Sequence, residues 1–176
     1  MILVARFFGR FHYAESAEEM REVVERFLSG FPAETVQAPG FELDCETASF
    51  GFMESAPGEG ASVQWPDNSL EVTVNFSNGH GGLVWYVDAN RASEINEKTQ
   101  SDMADWAWVS DNPEPVAFGP EILIDVHVPY YHDSRNALPV SRIRAALQEF
   151  CRAGSGARPE SVHWVKGQPT GERDEG

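Results

Sequence analysis

Hydrophobic positions change their period twice along this chain, and the changes mark its elements. Residues 2–8 form a short, nearly continuous apolar run that reads as an opening strand. Ser16-Ala-Glu-Glu19 then has the form of a capping box, in which the Ser hydroxyl accepts from the amide three residues on and Glu19 reaches back to the cap. Behind it Met20, Val23, Val24, Phe27 and Leu28 recur at helical spacing as one apolar stripe. Gly30 supplies the left-handed residue that closes this helix, and Pro32 prevents its resumption.

From residue 41 to 128 the period drops to two. Leu70, Val72, Val74 and Phe76 alternate with Glu71, Thr73 and Asn75, the pattern of a half-buried strand. Ser77-Asn-Gly-His80-Gly-Gly82 turns the chain, and residues 83–87 return as the partner strand of a hairpin. Residues 61–65, 105–109 and 122–128 are further strands, separated by Pro57-Gly58 and by Asn112-Pro-Glu-Pro115. Residues 88–103 are polar and without period, and read as a long connection.

A second helix opens at Pro139, comfortable as a first helical residue because its missing N–H had no acceptor. Val140, Ile143, Ala146, Leu147, Phe150 and Cys151 form its buried stripe, and Gly154 ends it. Arg142 and Arg144 in its first turn have the wrong sign for the helix dipole, which calls for a nearby carboxylate, with Asp133 the candidate. A strand over 161–165 closes the fold. The whole predicts an α+β domain over 1–166, one mostly antiparallel twisted sheet of about six or seven strands with two helices packed on one face. Residues 167–176 read as a polar, mobile tail. The second sheet face is left for solvent or a partner.

Composition adds a sign to this picture. A length of 176 residues suits one domain, and 41% hydrophobic with 23% charged residues excludes wholesale disorder. The formal charge is −15, from 28 acids against 13 bases, so phosphate backbones and anionic membranes are repelled. Residues 42–125 hold sixteen of the acids and only two bases, Arg91 and Lys98. Arg6 interrupts the apolar start, no stretch is long enough to span a bilayer, and two cysteines are too few for a disulfide framework. A cytoplasmic location is the expectation.

Templates for catalysis fail one after another. His80-Gly81-Gly82 is similar to an esterase oxyanion loop, but no Gly-x-Ser-x-Gly elbow exists. Cys45 sits between Asp44 and Glu46, whose charge disfavours a thiolate, and Cys151 falls on a buried stripe. No nucleotide-binding glycine motif is present. Asp125 and His127 on one strand face, with His132 beyond, leave a metal-dependent enzyme as an alternative. Trp106 and Trp108 share one face of a strand and suit a core. Tyr130 and Tyr131, in a loop after a strand end, suit either core or contact surface. No catalytic residue, metal or cofactor is expected.

Three blocks of the second half resemble a known family: Ala107-Trp-Val-Ser-Asp-Asn-Pro-Glu-Pro115, His132-Asp-Ser-Arg135, and the run from Leu138-Pro-Val-Ser-Arg to Cys151. With the ending Arg158-Pro-Glu-Ser-Val-His-Trp164 and the glycine-rich hairpin, they are similar to actinobacterial members of immunity protein family one. The resemblance implies a small α+β antidote of a polymorphic toxin system, often encoded beside nucleic-acid deaminase toxins, that acts by binding. A deaminase needs a cationic surface for its polyanion. An acidic partner can occupy that surface, with Asp102, Asp105, Asp111, Glu114 and Asp133 supplying charge, Tyr130 and Tyr131 as anchors, and His132 in the same loop. An acidic adaptor unrelated to toxins is the remaining alternative.

Overall fold

Antiparallel pairing accounts for nearly every strand in the structure, a computed structural model that describes residues 1–31, 45–55, 65–125 and 130–174. In chain order the elements are β1 (Ile2–Phe7), β2 (Arg10–Ala14), α1 (Ala17–Leu28), β3 (Cys45–Met53), β4 (Asn68–Asn75), β5 (His80–Val87) and α2 (Ala89–Thr99). They continue with β6 (Ala107–Asp111), β7 (Leu123–Asp125), β8 (Tyr130–Tyr131), β9 (Leu138–Pro139), α3 (Val140–Ala153) and β10 (His163–Gly167). The main sheet runs β10-β6-β5-β4-β3-β1-β2, with β9 added to β5, and β7–β8 form a separate ribbon. The expected α+β class and antiparallel sheet are thus observed.

Register explains which face is dry. Ala5, Phe50, Leu70, Trp85 and Trp108 stand opposite one another across five strands. Leu3, Phe7, Phe52, Val72, Val74 and Leu83 join them in one core with the stripes of α1 and α3. Met20, Val23, Val24, Phe27 and Leu28 are all buried, as the spacing requires. Each such Leu or Phe stabilises the fold by about 1.5–3 kcal/mol on full burial, which outweighs any single surface interaction. The capping box forms: Glu19 N–H donates to Ser16 Oγ at 3.2 Å, and Ser16 N–H to Glu19 Oε2 at 2.9 Å. Gly154 ends α3 at φ +62°, its N–H bonded to Phe150 O.

Several expectations are corrected. Residues 88–103 are not a long connection: Asp88 caps α2 by accepting from Arg91 N–H at 2.8 Å, so the described residues form three α-helices. This helix buries only Ala92, too thin a stripe to register as a period. Asn96 secures it, donating to Asp105 and accepting from Ala104 N–H. Pro139 caps α3 rather than opening it. The carboxylate beside Arg144 is Glu25 of α1, not Asp133, because α1 and α3 pack together on the sheet. The strands expected at 105–109 and 161–165 both lie two residues later, and Trp106 precedes its strand. Trp65 is in no strand, while 61–64 and 126–128 fall outside the described residues.

Up to Asp174 the residues read as a polar tail are folded back and hydrogen-bonded to the domain. Gly167 bridges Arg173, Gln168 N–H donates to Glu172 O at 2.8 Å, and Asp174 N–H to Lys166 O at 3.0 Å. Asn136 Nδ2 donates to Gly171 O at 2.7 Å, and Arg173 pairs with Asp111 at 2.5 Å. Several of its backbone groups and the Arg173 charge are thus paired within the fold, which composition alone does not reveal.

Arg158 gives the closing segment its grip. Its guanidinium lies 4.1 Å from the Trp108 ring centroid and 5.9 Å from those of Trp85 and Trp164. Each indole N–H is committed to a carbonyl, Trp85 to Gly156, Trp108 to Met103 and Trp164 to Pro159. The rings are therefore held in place around the cation. Arg158→Ala should cost about 2 kcal/mol of stability, and Arg158→Lys should recover less than half, because an ammonium does not stack as a planar fork does. Urea denaturation of the three proteins measures this; a Lys variant as stable as the parent contradicts it.

Candidate functional site

On the side of the sheet away from α1 and α3, register lines up Phe11, Arg6, Ser49, Glu71 and Val84 across β2, β1, β3, β4 and β5. The ribbon β7–β8 covers one part of this face. Thr47 Oγ1 lies 2.9 Å from Thr73 Oγ1 and donates to Ile124 O at 3.2 Å. Next to these threonines, His132 rests on Gly82, where a Cβ would come within 2.6 Å of the imidazole. Only glycine permits that approach. The remainder of the face is a cleft of about 670 Å³, whose lining includes Arg6, Ser49, Trp65, Ser69, Glu71 and Tyr86.

Glu71 is the centre of the cleft's polarity. Ser69 Oγ donates to Glu71 Oε1 at 2.9 Å and the Tyr86 hydroxyl donates to the same oxygen at 3.2 Å. Ser49 and Ser69 hydroxyls are 3.2 Å apart. Burial pushes the Glu71 carboxyl above the usual range, while these hydroxyls and the charge of Arg6 oppose the rise. Burial, and then the Glu71 charge, raise the Tyr86 phenol. Glu46 is also raised by burial, against the Phe8 N–H that it accepts at 2.5 Å. Asp67 and Asp88 complete the acidic lining, and Arg6 lies 5.9 Å over the ring of Trp65, which is 56% exposed.

Sequence reasoning missed this cleft. In the alternation of β4, Glu71 counts simply as a solvent-side position. Only the register sets Ser49, Ser69 and Tyr86 around it, and only the tertiary fold brings Trp65 to the wall. A hydroxyl at the outward positions of three neighbouring strands is the signal, legible once the pairing is known.

The residues singled out from sequence occupy separate places. Asp102 accepts from Trp106 Nε1 at 3.3 Å and lies 3.9 Å from Lys166 Nζ, which sits 3.8 Å over the Trp106 ring. Asp105 accepts from Asn96 Nδ2 at 2.7 Å. Asp111, at the end of β6, is taken up by Arg173. Asp133 is held by Arg135, whose hydrogen bonds keep its carboxyl below the usual range. Glu114 is exposed in the loop after β6. Tyr130 and Tyr131, 44% and 49% exposed, form β8 rather than a loop. His132 is only 6% exposed, so its role is packing beneath the ribbon and not surface contact.

The two thiols have structural surroundings. Burial pushes Cys151 up to about 12. Cys45 Sγ donates to Glu121 O and accepts from Leu123 N–H, both at 3.4 Å, and so helps seat β7. For the metal-dependent alternative, His127 and the Asp125 side chain lie outside the described residues, and His132 is walled in by Gly82 and Gly171. Among the described residues no group of three His, Cys, Asp or Glu is placed to hold a metal ion.

Comparison with known families finds a match: the family described as Immunity protein Imm1 covers residues 12–166. Comparison with curated proteins and with solved structures gives no match.

Burial lowers His132 from its ordinary value to about 4. Well above pH 6.5 neither folded nor unfolded chain protonates it. As pH falls from there toward 4 the unfolded chain binds a proton that the fold refuses, and stability drops. Between pH 7.5 and pH 5 this group should cost about 2 kcal/mol. Comparing urea midpoints of the parent and His132→Gln across that interval isolates it; parallel pH profiles contradict the assignment.

Proposed function

The chain belongs to the Imm1 family of immunity proteins, which act against toxins, and on that premise we propose that it neutralises a polymorphic toxin domain with nucleic-acid deaminase activity. It does so by laying an acidic face over the cationic groove that holds the toxin's nucleic acid, and it carries out no chemistry itself. The supporting observation is where the carboxylates face. Asp67, Glu71 and Asp88 line the cleft, Glu71 on the sheet face away from α1 and α3, Glu46 borders it, and Arg6 is the one base among the described lining residues. A deaminase must bind phosphates, so a surface of this sign both steers the encounter and competes with the polyanion.

Elsewhere on the surface, Asp102, Asp105 and Glu114 supply further charge, and Tyr130 with Tyr131 supplies amphipathic anchors of the kind found at binding hot spots. Asp111 and Asp133 serve chiefly as internal partners of Arg173 and Arg135. Among the described residues no helix is long and apolar enough to cross a membrane. We place the protein in the cytoplasm, where a cell must meet a toxin of this kind.

Co-expression with the toxin domain encoded beside it tests the reading, with growth rescue expected and undiminished killing refuting it. Replacing Asp102, Asp105 and Glu114 together by amides should weaken toxin binding roughly tenfold at low salt and flatten its dependence on ionic strength. Calorimetry of the purified pair over a salt series measures both; unchanged slope and affinity would place the contact elsewhere.

A further inference from the structure

We propose that the cleft on the exposed sheet face is a receptor for one arginine side chain of the toxin domain, its guanidinium stacked against Trp65 and Tyr86 and paired to Glu71. The proposal rests on the toxin-binding reading for its partner, and on the cleft alone for its chemistry.

Three features of the cleft carry it. First, charge: among the described lining residues four carboxylates, Glu46, Asp67, Glu71 and Asp88, stand against one cation, Arg6. Second, the geometry of Glu71: the hydrogen bonds from Ser69 and Tyr86 both fall on Oε1, and the groups that hold the carboxylate, Ser49 included, are neutral hydroxyls. A carboxylate drawn this far into a sheet face costs stability unless a cation compensates it, and Arg6 forms no ion pair with it within 4.0 Å, being placed over Trp65 instead. Third, the wall: Trp65 is exposed, Tyr86 lines the cleft with its hydroxyl on Glu71, and Phe11 packs 5.6 Å from Trp65. Flat aromatic faces beside a carboxylate suit a guanidinium, which stacks and donates in one plane, better than an ammonium. A volume of about 670 Å³ has room for the head group and its methylene stem.

Charge complementarity selects this occupant. A nucleic acid meets the wrong sign, and a neutral apolar segment would leave Glu71 with only the more distant charge of Arg6.

The probe is N-acetyl-arginine amide, titrated into the full chain and followed by amide and indole nuclear magnetic resonance shifts. Saturable millimolar binding is expected, with shifts concentrated on Trp65, Ser69, Glu71 and Tyr86. The neutral isostere N-acetyl-citrulline amide should give none, and Glu71→Gln should weaken arginine binding at least tenfold. Trp65→Ala, outside the core, should weaken it in a chain whose melting is unchanged. Citrulline binding as well as arginine, shifts spread over other surfaces, or full binding by Glu71→Gln would each overturn the proposal. Growth rescue separates this from the parent reading. Rescue by Glu71→Gln equal to the parent's defeats the cleft and leaves immunity standing. Arginine binding in a chain that never rescues leaves the cleft standing and defeats the choice of toxin as its partner.

Discussion

Register among β3, β4 and β5 is the constraint on which the rest of the molecule depends. Phe50, Leu70 and Trp85 meet on one face while Ser49, Glu71 and Val84 meet on the other. A slip of one residue in β4 would exchange the two sets, setting Glu71 under the helices and Leu70 in the cleft. The loss of buried apolar surface together with an unpaired carboxylate in the core makes that slip prohibitive. The same register thus secures the hydrophobic core and assembles the polar cleft, and neither could be moved without the other.

The two faces are finished by different means. On the helix side, α1 and α3 complete the core by apolar contact, with the Arg144–Glu25 pair at its margin. On the other side the cover is polar and partial. Threonine hydroxyls, Cys45, His132 and the folded-back tail hold the β7–β8 ribbon through hydrogen bonds and close packing. Gly82 is the point at which this cover depends on the absence of a side chain. Beyond the ribbon the face remains concave, and there the acidic lining is concentrated.

For an immunity protein this division has a functional consequence. On the proposed reading, a surface that seizes a cationic domain needs carboxylates that are not already neutralised. Asp111, Asp133 and Glu25 are spent on arginines of the same chain. Glu71, by contrast, is held by hydroxyls, which orient a carboxylate without cancelling its charge. Net charge alone cannot distinguish these two populations, because both contribute equally to −15.

Local signals were sufficient for α1, with its capping box, stripe and terminal glycine, for the stripe and terminal glycine of α3, and for the hairpin of β4 and β5. These elements are specified by contacts within a few residues or by a strong period, and the antiparallel class follows from them. α2 escaped because a helix that buries one alanine leaves almost no period. The tail escaped because its partners, Asp111 and Asn136, are distant in sequence. Asp133 was misassigned for the same reason: opposite charges close in sequence need not be the pair that packing brings together. The site depended wholly on the tertiary structure. Acidity of the middle segment was plain from the residues, but whether a given carboxylate is a strut or a contact is decided by which groups the fold sets beside it.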